Sequence, residues 1–277
     1  MQKWLKGMDT LVALMLRYVI RYRFKVIRKN LSGTFPYTSA KELRRDIFAN
    51  YVYLAKMLRQ AMVSPTRRLL QRRMHLEPTP LLDQHLGNGK SIILSFGHTG
   101  NWEWTGSYIG LRYPDQVCAL YKKIKSSRIN RLMYKRRSSH VNYLIETKQT
   151  ADLIRLIKTK PVIILMIADQ NPGSLTGAIW ADFLGRKTAF VNGPESLALR
   201  YGLPVIYAES LPEPDGGYTM TCKELYDGQE SVAPGVIMQR FATSLEQNIR
   251  ACRSHWLWSH KRWKRKPPVS TETPSPS

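Results

Sequence analysis

Two short apolar runs constrain the fold of this chain more than any other feature. Residues 162–168 are apolar throughout and residues 91–96 are mostly so, which is typical of strands buried on both faces of a sheet. Segments with the apolar spacing of helices alternate with these runs. Strands that alternate with helices predict an α/β fold, in which a mostly parallel central sheet is flanked by helices.

The same patterns predict the order of the elements along the chain. Strands are expected at residues 91–96, 117–121, 143–146, 162–168, 204–209 and, as an edge strand, 218–223. Helices are expected at residues 39–62, from 81 to 86, and at 101–111, 127–137, 150–158, 194–201 and 235–253.

A polar segment, residues 97–104, follows the first of these strands. His98 stands at the strand's end and Glu103 five residues later, with a turn into a helix expected between them. Open α/β sheets bind ligands at this carboxyl edge. An imidazole is a usable base near neutral pH, and a carboxylate on its second nitrogen fixes the tautomer. We therefore expect Glu103 to orient His98 as a general base, although spacing alone leaves open a pair that only holds structure.

The chain is strongly basic. It contains 43 Lys and Arg against 20 Asp and Glu, which gives a formal net charge of +23. Such a balance indicates a polyanionic partner, which is either nucleic acid, an anionic membrane surface, or an acidic protein or lipid.

The motifs that are missing from the chain exclude other kinds of site. Cys118, Cys222 and Cys252 are widely spaced, so unpaired thiols are expected and no metal site is predicted. The chain has no GxSxG segment of a serine esterase and no HExxH segment of a zinc peptidase.

The first 38 residues combine apolar and basic side chains. No uninterrupted apolar run is long enough to predict a membrane span, and no signal peptide is recognised. Apolar residues interleaved with basic ones over about 25 residues indicate an amphipathic helix at a membrane interface. A helix packed on its own domain is the alternative. The last eleven residues, 267–277, form a polar tail that is expected to be disordered.

Several blocks of the chain resemble one family. The stretch from His98 to Glu103 resembles the HxxxxD/E signature of glycerolipid acyltransferases. Its Gly-Asn-Trp-Glu form is similar to the lipid A biosynthesis acyltransferase (lauroyl/myristoyl transferase) branch. Four other blocks resemble that branch in order and spacing, and together they extend the resemblance over about residues 15 to 265: residues 22–36, 168–173, 183–195 and 256–264.

The resemblance implies a glycerolipid acyltransferase-like fold and an O-acyltransferase without a cofactor. The donor would be an acyl thioester, with acyl carrier protein favoured over coenzyme A. The acceptor would be a hydroxyl of a lipid A precursor, a lysophospholipid or an aminolipid. His98 would deprotonate that hydroxyl and Glu103 would orient and charge-balance the ring, with no acyl-enzyme.

The resemblance also implies a location and a division of the chain. The expected location is the cytoplasmic face of the bacterial inner membrane. Residues 1–38 would form the membrane-associating segment, and residues 39–266 the acyltransferase domain. Members of the family usually carry a fuller N-terminal span, so this chain either lies on the membrane or begins late.

Other residues are candidates for substrate binding. Asp169 ends the most apolar strand and would face the same edge as His98 if the two strands are parallel. We expect it to position substrate, with a turn-forming role as the alternative. The resemblance also implies an Arg near the active site in this region, and Arg137 fits best, although Lys135 and Arg136 are equally close. We expect Arg137 to bind phosphate, and a match to the helix dipole is the stronger alternative. The remaining candidates are Asn101 at a helix start, Lys122 after a strand, Gln170 after Asp169, and Thr188 and Gly193 in a loop over the site.

The aromatic and basic C-terminal segment, residues 256–264, supports two readings. Indoles and cations suit a membrane interface, and they also suit single-stranded nucleic acid. A basic nucleic-acid-binding protein is therefore the alternative function. No helix-turn-helix, zinc-finger or RNP motif supports it, so an acyltransferase is favoured and no nucleic acid is expected.

Overall fold

The structure, a computed structural model, describes residues 2–62 and 64–267. Its strands are β1 (Met74–Leu76), β2 (Ile92–Phe96), β3 (Val117–Tyr121), β4 (Tyr143–Glu146), β5 (Ile163–Ile167), β6 (Ile179–Phe183), β7 (Arg186–Phe190), β8 (Val205–Pro212) and β9 (Tyr218–Tyr226). Its α-helices are α1 (Gln2–Leu14), α2 (Phe24–Ser32), α3 (Ala40–Met62), α4 (Arg67–Arg73), α5 (Leu81–Gly87), α6 (Trp102–Arg112), α7 (Ser127–Arg137), α8 (Thr150–Thr159), α9 (Gly193–Tyr201) and α10 (Val236–Ala251).

The central sheet has seven strands in the order β1-β9-β8-β2-β5-β3-β4. Neighbouring strands are parallel except for β8 and β9, which are antiparallel. The α/β fold with a mostly parallel sheet is therefore confirmed. Every residue of β2 is buried, because strands in the middle of such a sheet are covered on both faces.

The pairing of β2 with β5 fixes where the polar segments after them lie. The two strands run in parallel, with Phe96 opposite Ile167 at their ends. The chain therefore leaves both strands at the same edge of the sheet. His98 and Asp169, each two residues beyond its strand, therefore lie side by side, as the sequence predicted for parallel strands.

Two regions differ from the sequence-based expectations. Strand β9 was expected at the edge, but β1 pairs with its free side, and a three-residue strand is too short to show an alternating pattern. Residues 179–190 form a separate antiparallel hairpin, β6–β7, where part of a loop over the site was expected. Its turn places Leu184 and Gly185 at positive φ. Leu184 is not one of the turn residues that usually mark such a hairpin in a sequence.

The N-terminal segment is not one continuous amphipathic helix. Helix α1 continues into a π-helical turn, Met15–Val19, and the helical conformation is then interrupted before α2 begins. Both helices pack on the main domain, because Ala13 and Ile27 belong to the same hydrophobic core as the sheet. Within the two described ranges, no helix is both long and apolar enough to cross a membrane. The tail expected from residue 267 onward lies, from residue 268, outside the described residues.

A partly buried ion pair joins α1 to α3 and supplies a test of this packing. Arg59 donates from Nε to Oδ1 of Asp9 at 2.6 Å and from Nη2 to Oδ2 at 2.8 Å. Replacing Asp9 with Asn leaves the guanidinium without its counter-charge, so we expect the free energy of unfolding to fall by about 3 kcal/mol in urea denaturation.

The matched control is Asp152→Asn, which removes the carboxylate of an exposed i,i+3 pair with Arg155. It should change stability by less than about 1 kcal/mol. Equal effects of the two substitutions would contradict the packing of α1 on α3.

Candidate active site

The loop between β2 and α6 is held close to its surroundings at two glycines. At Gly97 a Cβ would lie 2.5 Å from Cδ1 of Leu245 and 3.3 Å from Oδ2 of Asp169. Gly100 has a φ of +54°, and a Cβ there would lie 2.5 Å from the carbonyl oxygen of Ser210. Gly100 requires glycine, because its φ is positive and its obstacle is backbone, whereas at Gly97 the nearest obstacle is the end of the Leu245 side chain. The loop is thereby fixed, and His98 with it.

His98 is held by Asp169, which corrects the expectation that Glu103 orients it. Nδ1 of His98 lies 2.5 Å from Oδ1 of Asp169, and the backbone amide of His98 donates to Oδ2 at 2.8 Å. A carboxylate only accepts, so Nδ1 carries the hydrogen and Nε2 keeps its lone pair. The physical reason is the parallel register of β2 and β5, which brings residues 98 and 169 out of the sheet side by side.

Asp169 is itself fixed by a third donor from the far end of the chain. The carboxylate is 2 % exposed, and Nε1 of Trp256 donates to Oδ2 at 2.8 Å. Burial alone would raise the pKa of Asp169, but the charge of His98, its two hydrogen bonds and the Trp256 bond lower it to about 2. Asp169 is therefore ionised at neutral pH and is able to stabilise a positive charge on His98.

Glu103 forms an ion pair with Arg137, another residue singled out in the sequence. Arg137 donates from Nη2 to Oε1 at 2.6 Å and from Nε to Oε2 at 3.1 Å. Burial lowers the pKa of Arg137, but its bonds to Glu103 outweigh this and raise it above its ordinary value. A planar two-bond pair of this kind holds the guanidinium in one orientation. The two side chains are thus brought together, in an arrangement the sequence did not predict.

A large cavity opens beside His98 at the carboxyl edge of the sheet. Its volume is about 1020 Å³, and its walls include His98, Glu103 and Arg137. Much of the remaining wall is apolar, contributed by side chains such as Leu120, Ile124, Val141, Leu153, Ile154 and Leu197. The volume is at the upper end of the range for small-molecule sites, which suits a long apolar ligand.

Besides Arg137, three of the predicted substrate-binding residues line this cavity with His98. Lys122 and Gly193 lie in its wall, and so does Gln170, whose Nε2 is 3.2 Å from Nε2 of His98. Since Nε2 of His98 is an acceptor, the amide of Gln170 donates to it. His98 therefore faces the cavity with its Nε2 hydrogen-bonded to the neutral amide of Gln170, which a ligand hydroxyl is able to replace.

Asn101 and Thr188 have structural tasks instead. Both are buried. Asn101 caps α6 by accepting from the amide of Trp104 at 3.0 Å. Thr188 lies in β7 and accepts from Nε1 of Trp263 at 3.0 Å. Neither side chain lines the cavity.

Two indoles of the C-terminal aromatic segment are buried, which corrects the expectation that they meet a membrane or nucleic acid, while its Lys261 and Lys264 are exposed. Trp256, Trp258 and Arg262 are each at most 1 % exposed. The segment packs behind the active-site loop, where Trp256 forms an isolated bridge with Thr99. Sequence reasoning missed the role of Trp256, although a buried indole needs a partner for its N–H and so carries a signal.

Neither a metal centre nor a thiol nucleophile is formed by the part of the chain that the structure describes. No group of three or more His, Cys, Asp or Glu in that part is arranged to hold a metal ion. Cys118, Cys222 and Cys252 are free thiols, and none of them lines the cavity. Burial raises the pKa of Cys118 to about 12.

From the hydrogen bond that Trp256 donates to Asp169, we predict how the free energy of unfolding depends on pH. The ordinary pKa of Asp169 is 3.8 and its folded pKa is about 2. Its ionised form therefore contributes stability that is complete above the ordinary pKa and is lost as the pH falls through the folded pKa. Trp256→Phe removes one donor, raises the folded pKa and should make unfolding free energy fall less between about pH 5 and pH 3.

Trp258→Phe is the matched control, because Nε1 of Trp258 donates to the carbonyl of Arg253 and touches no carboxylate. It should lower stability but keep the pH dependence of the unchanged protein. Identical pH profiles for the two variants would show that Trp256 does not act on Asp169.

Comparison with known proteins identifies the family of the chain. The family model described as bacterial lipid A biosynthesis acyltransferase matches residues 2–265. A search of curated proteins found no match. The family match covers nearly the whole chain, including every residue described above, and it points to acyltransferase activity. The chain belongs to the bacterial lipid A biosynthesis acyltransferase family.

Proposed function

We propose that this protein is a membrane-associated O-acyltransferase. It transfers a fatty acyl chain from an acyl thioester to a hydroxyl of a lipid A precursor, a lysophospholipid or an aminolipid. One observation carries the proposal: the Nε2 lone pair of His98 faces a large, mostly apolar cavity while Asp169 holds Nδ1. The pairing of Asp169 with His98 supplies the orienting acid that was expected from Glu103.

The reaction proceeds by direct attack. The acceptor hydroxyl replaces Gln170 at Nε2 of His98 and gives up its proton as its oxygen bonds to the thioester carbonyl carbon. The imidazolium is stabilised by ionised Asp169. When the tetrahedral intermediate collapses, the carbon–sulfur bond breaks and the thiolate takes the proton back from His98. The products are an ester and a free thiol, and no cofactor is consumed.

Two polar groups near the base are assigned to substrate. Gln170 lies closest, so its amide holds the reacting oxygen once that oxygen is at His98. Glu103 fixes Arg137 in the cavity wall, where the guanidinium meets a phosphate of the acceptor or of the donor's arm. Glu103 thus acts through Arg137 rather than on His98. The apolar part of the cavity receives the acyl chain.

The surface beside the cavity suits an acidic carrier protein as the acyl donor. Helix α7 and the loop before it expose six cations: Lys122, Lys123, Lys125, Arg128, Arg131 and Lys135. The same helix exposes Ile129, Leu132 and Tyr134. Cations around a few apolar contacts match a partner with an acidic face and speed its approach. Acyl carrier protein is therefore favoured over coenzyme A.

The high net charge supports the remaining parts of the proposal. A charge of +23 holds a protein on an anionic lipid surface, and we place the protein at the cytoplasmic face of the bacterial inner membrane. The alternative of nucleic-acid binding rested in part on the C-terminal aromatic segment. Two indoles of that segment are buried, so nucleic-acid binding is not carried further.

The base is tested with His98→Ala, which should lower the rate of acyl transfer by about a thousandfold or more while the protein stays folded. Asp169→Asn should lower it by at least about a hundredfold, because the wrong tautomer of His98 is then favoured. The measurement is acyl transfer from a thioester to a lipid acceptor, followed by mass spectrometry.

The control is His85→Ala. His85 contacts Glu224 at 2.7 Å, so this change removes another His–carboxylate pair that lies outside the cavity. It should keep near-normal activity. Near-normal activity of His98→Ala would refute the mechanism.

The donor surface is tested with Arg128→Glu/Arg131→Glu. The double change places like charges against an acidic carrier protein, so the KM for the carrier-bound donor should rise about tenfold with little change in kcat. The control Lys158→Glu/Lys223→Glu makes the same change in net charge at exposed sites on α8 and β9. An equal rise in KM for both variants would argue against docking on α7.

A further inference from the structure

The helix is interrupted between α1 and α2, and three apolar side chains, here called the apolar tip, are exposed there. Val19 is 77 % exposed, Tyr18 59 % and Ile20 54 %. Aliphatic and aromatic side chains in a continuous run at such exposure are unfavourable in water, and an exposed apolar cluster marks a surface that something covers. The tip comprises residues 18–20 and ends where the basic residues begin.

Directly after the tip, five cations line a second cavity, of about 870 Å³: Arg21, Arg23, Lys25, Arg28 and Lys29. Phe24, Val26 and Ser32 complete its lining, so no acidic side chain takes part. Among the described residues, none of the five cations forms a salt bridge. Like charges gathered in one concavity repel one another, and bound anions offset that repulsion.

Hydrogen bonds to the rest of the domain hold the interruption between α1 and α2 in one conformation. The amide of Tyr22 donates to the carbonyl of Leu16 at 2.9 Å, and the hydroxyl of Tyr51 donates to the carbonyl of Tyr22 at 2.7 Å. Helix α2 is fixed in turn by Asn30, whose Nδ2 donates to the carbonyls of Trp258 and His260. The tip and the basic cavity are therefore presented as one preformed surface, which reduces the entropy cost of binding.

We propose that this surface binds phosphate-bearing head groups of a lipid bilayer. The five cations contact head-group phosphates while Tyr18, Val19 and Ile20 enter the interface between the head groups and the acyl chains. Nucleic acid fits less well, because the exposed tip is largely aliphatic and offers little surface on which bases stack.

The proposal deepens the proposed function, since it rests on a lipid acceptor for its purpose, although the binding is measurable without any acyl transfer. It assigns the membrane contact to a defined surface at residues 18–29 rather than to the overall charge of the protein.

The experiment compares binding to vesicles of phosphatidylglycerol mixed with phosphatidylcholine, measured by co-sedimentation. Lys25→Glu/Arg28→Glu changes two exposed helical positions of the cavity and should weaken binding about tenfold or more. Lys158→Glu/Lys223→Glu makes the same change in net charge elsewhere and should weaken it less than about threefold. Equal weakening by the two variants would overturn the proposal, because overall charge would then explain the binding.

The apolar tip is tested separately with Val19→Asp. A charged side chain resists entry into the interface, so binding to the mixed vesicles should weaken while the thermal unfolding temperature stays unchanged. Unchanged vesicle binding by this variant would refute insertion of the tip.

The His98→Ala variant separates this proposal from the proposed function. It should bind the vesicles as tightly as the unchanged protein even though it transfers no acyl chain. Loss of vesicle binding in Lys25→Glu/Arg28→Glu therefore supports the surface whether or not His98 proves to be the base.

Discussion

The structure depends on one buried negative charge. Asp169 has almost no contact with solvent, and a carboxylate in such a place is stable only if donors surround it. Three hydrogen bonds meet this need, two from the backbone and ring of His98 and one from the indole of Trp256. The parallel strands β2 and β5 bring His98 beside Asp169, and the C-terminal segment supplies the third donor. The catalytic geometry that we propose is a by-product of satisfying this charge.

Local patterns were sufficient to predict the frame of the site from the sequence. Apolar runs gave the strands, and parallel strands require His98 and Asp169 to leave the sheet at one edge, as they do. The side-chain hydrogen bonds and ion pairs within the site were not predictable in this way. Trp256 lies 87 residues from Asp169, and Arg137 lies 34 residues from Glu103. Such pairs are decided by how distant segments pack, which neither periodicity nor spacing records.

The same reasoning explains the errors at the two ends of the chain. Indoles and cations in residues 256–264 have the composition of a membrane interface, yet the indoles of Trp256 and Trp258 fill the domain core. In the N-terminal segment the composition was read as one amphipathic helix, but Arg21 and Arg23 take positive φ values and interrupt it. The composition of a segment indicates which environments its side chains suit, whereas its burial depends on the shape of the protein surface against which it packs.

The two ends of the chain also meet behind the reactive histidine. Asn30 of α2 binds the carbonyl of Trp258 across a separation of 228 residues. Contacts between such remote positions require the closure of a very long loop, and this makes them slow to form. The segment that follows α10 is thereby bound both to α2, through the carbonyl of Trp258, and to Asp169, through the indole of Trp256. Because Trp256 follows Asp169 by 87 residues, a chain that is still being synthesised contains His98 and Asp169 before it contains the third donor to that carboxylate.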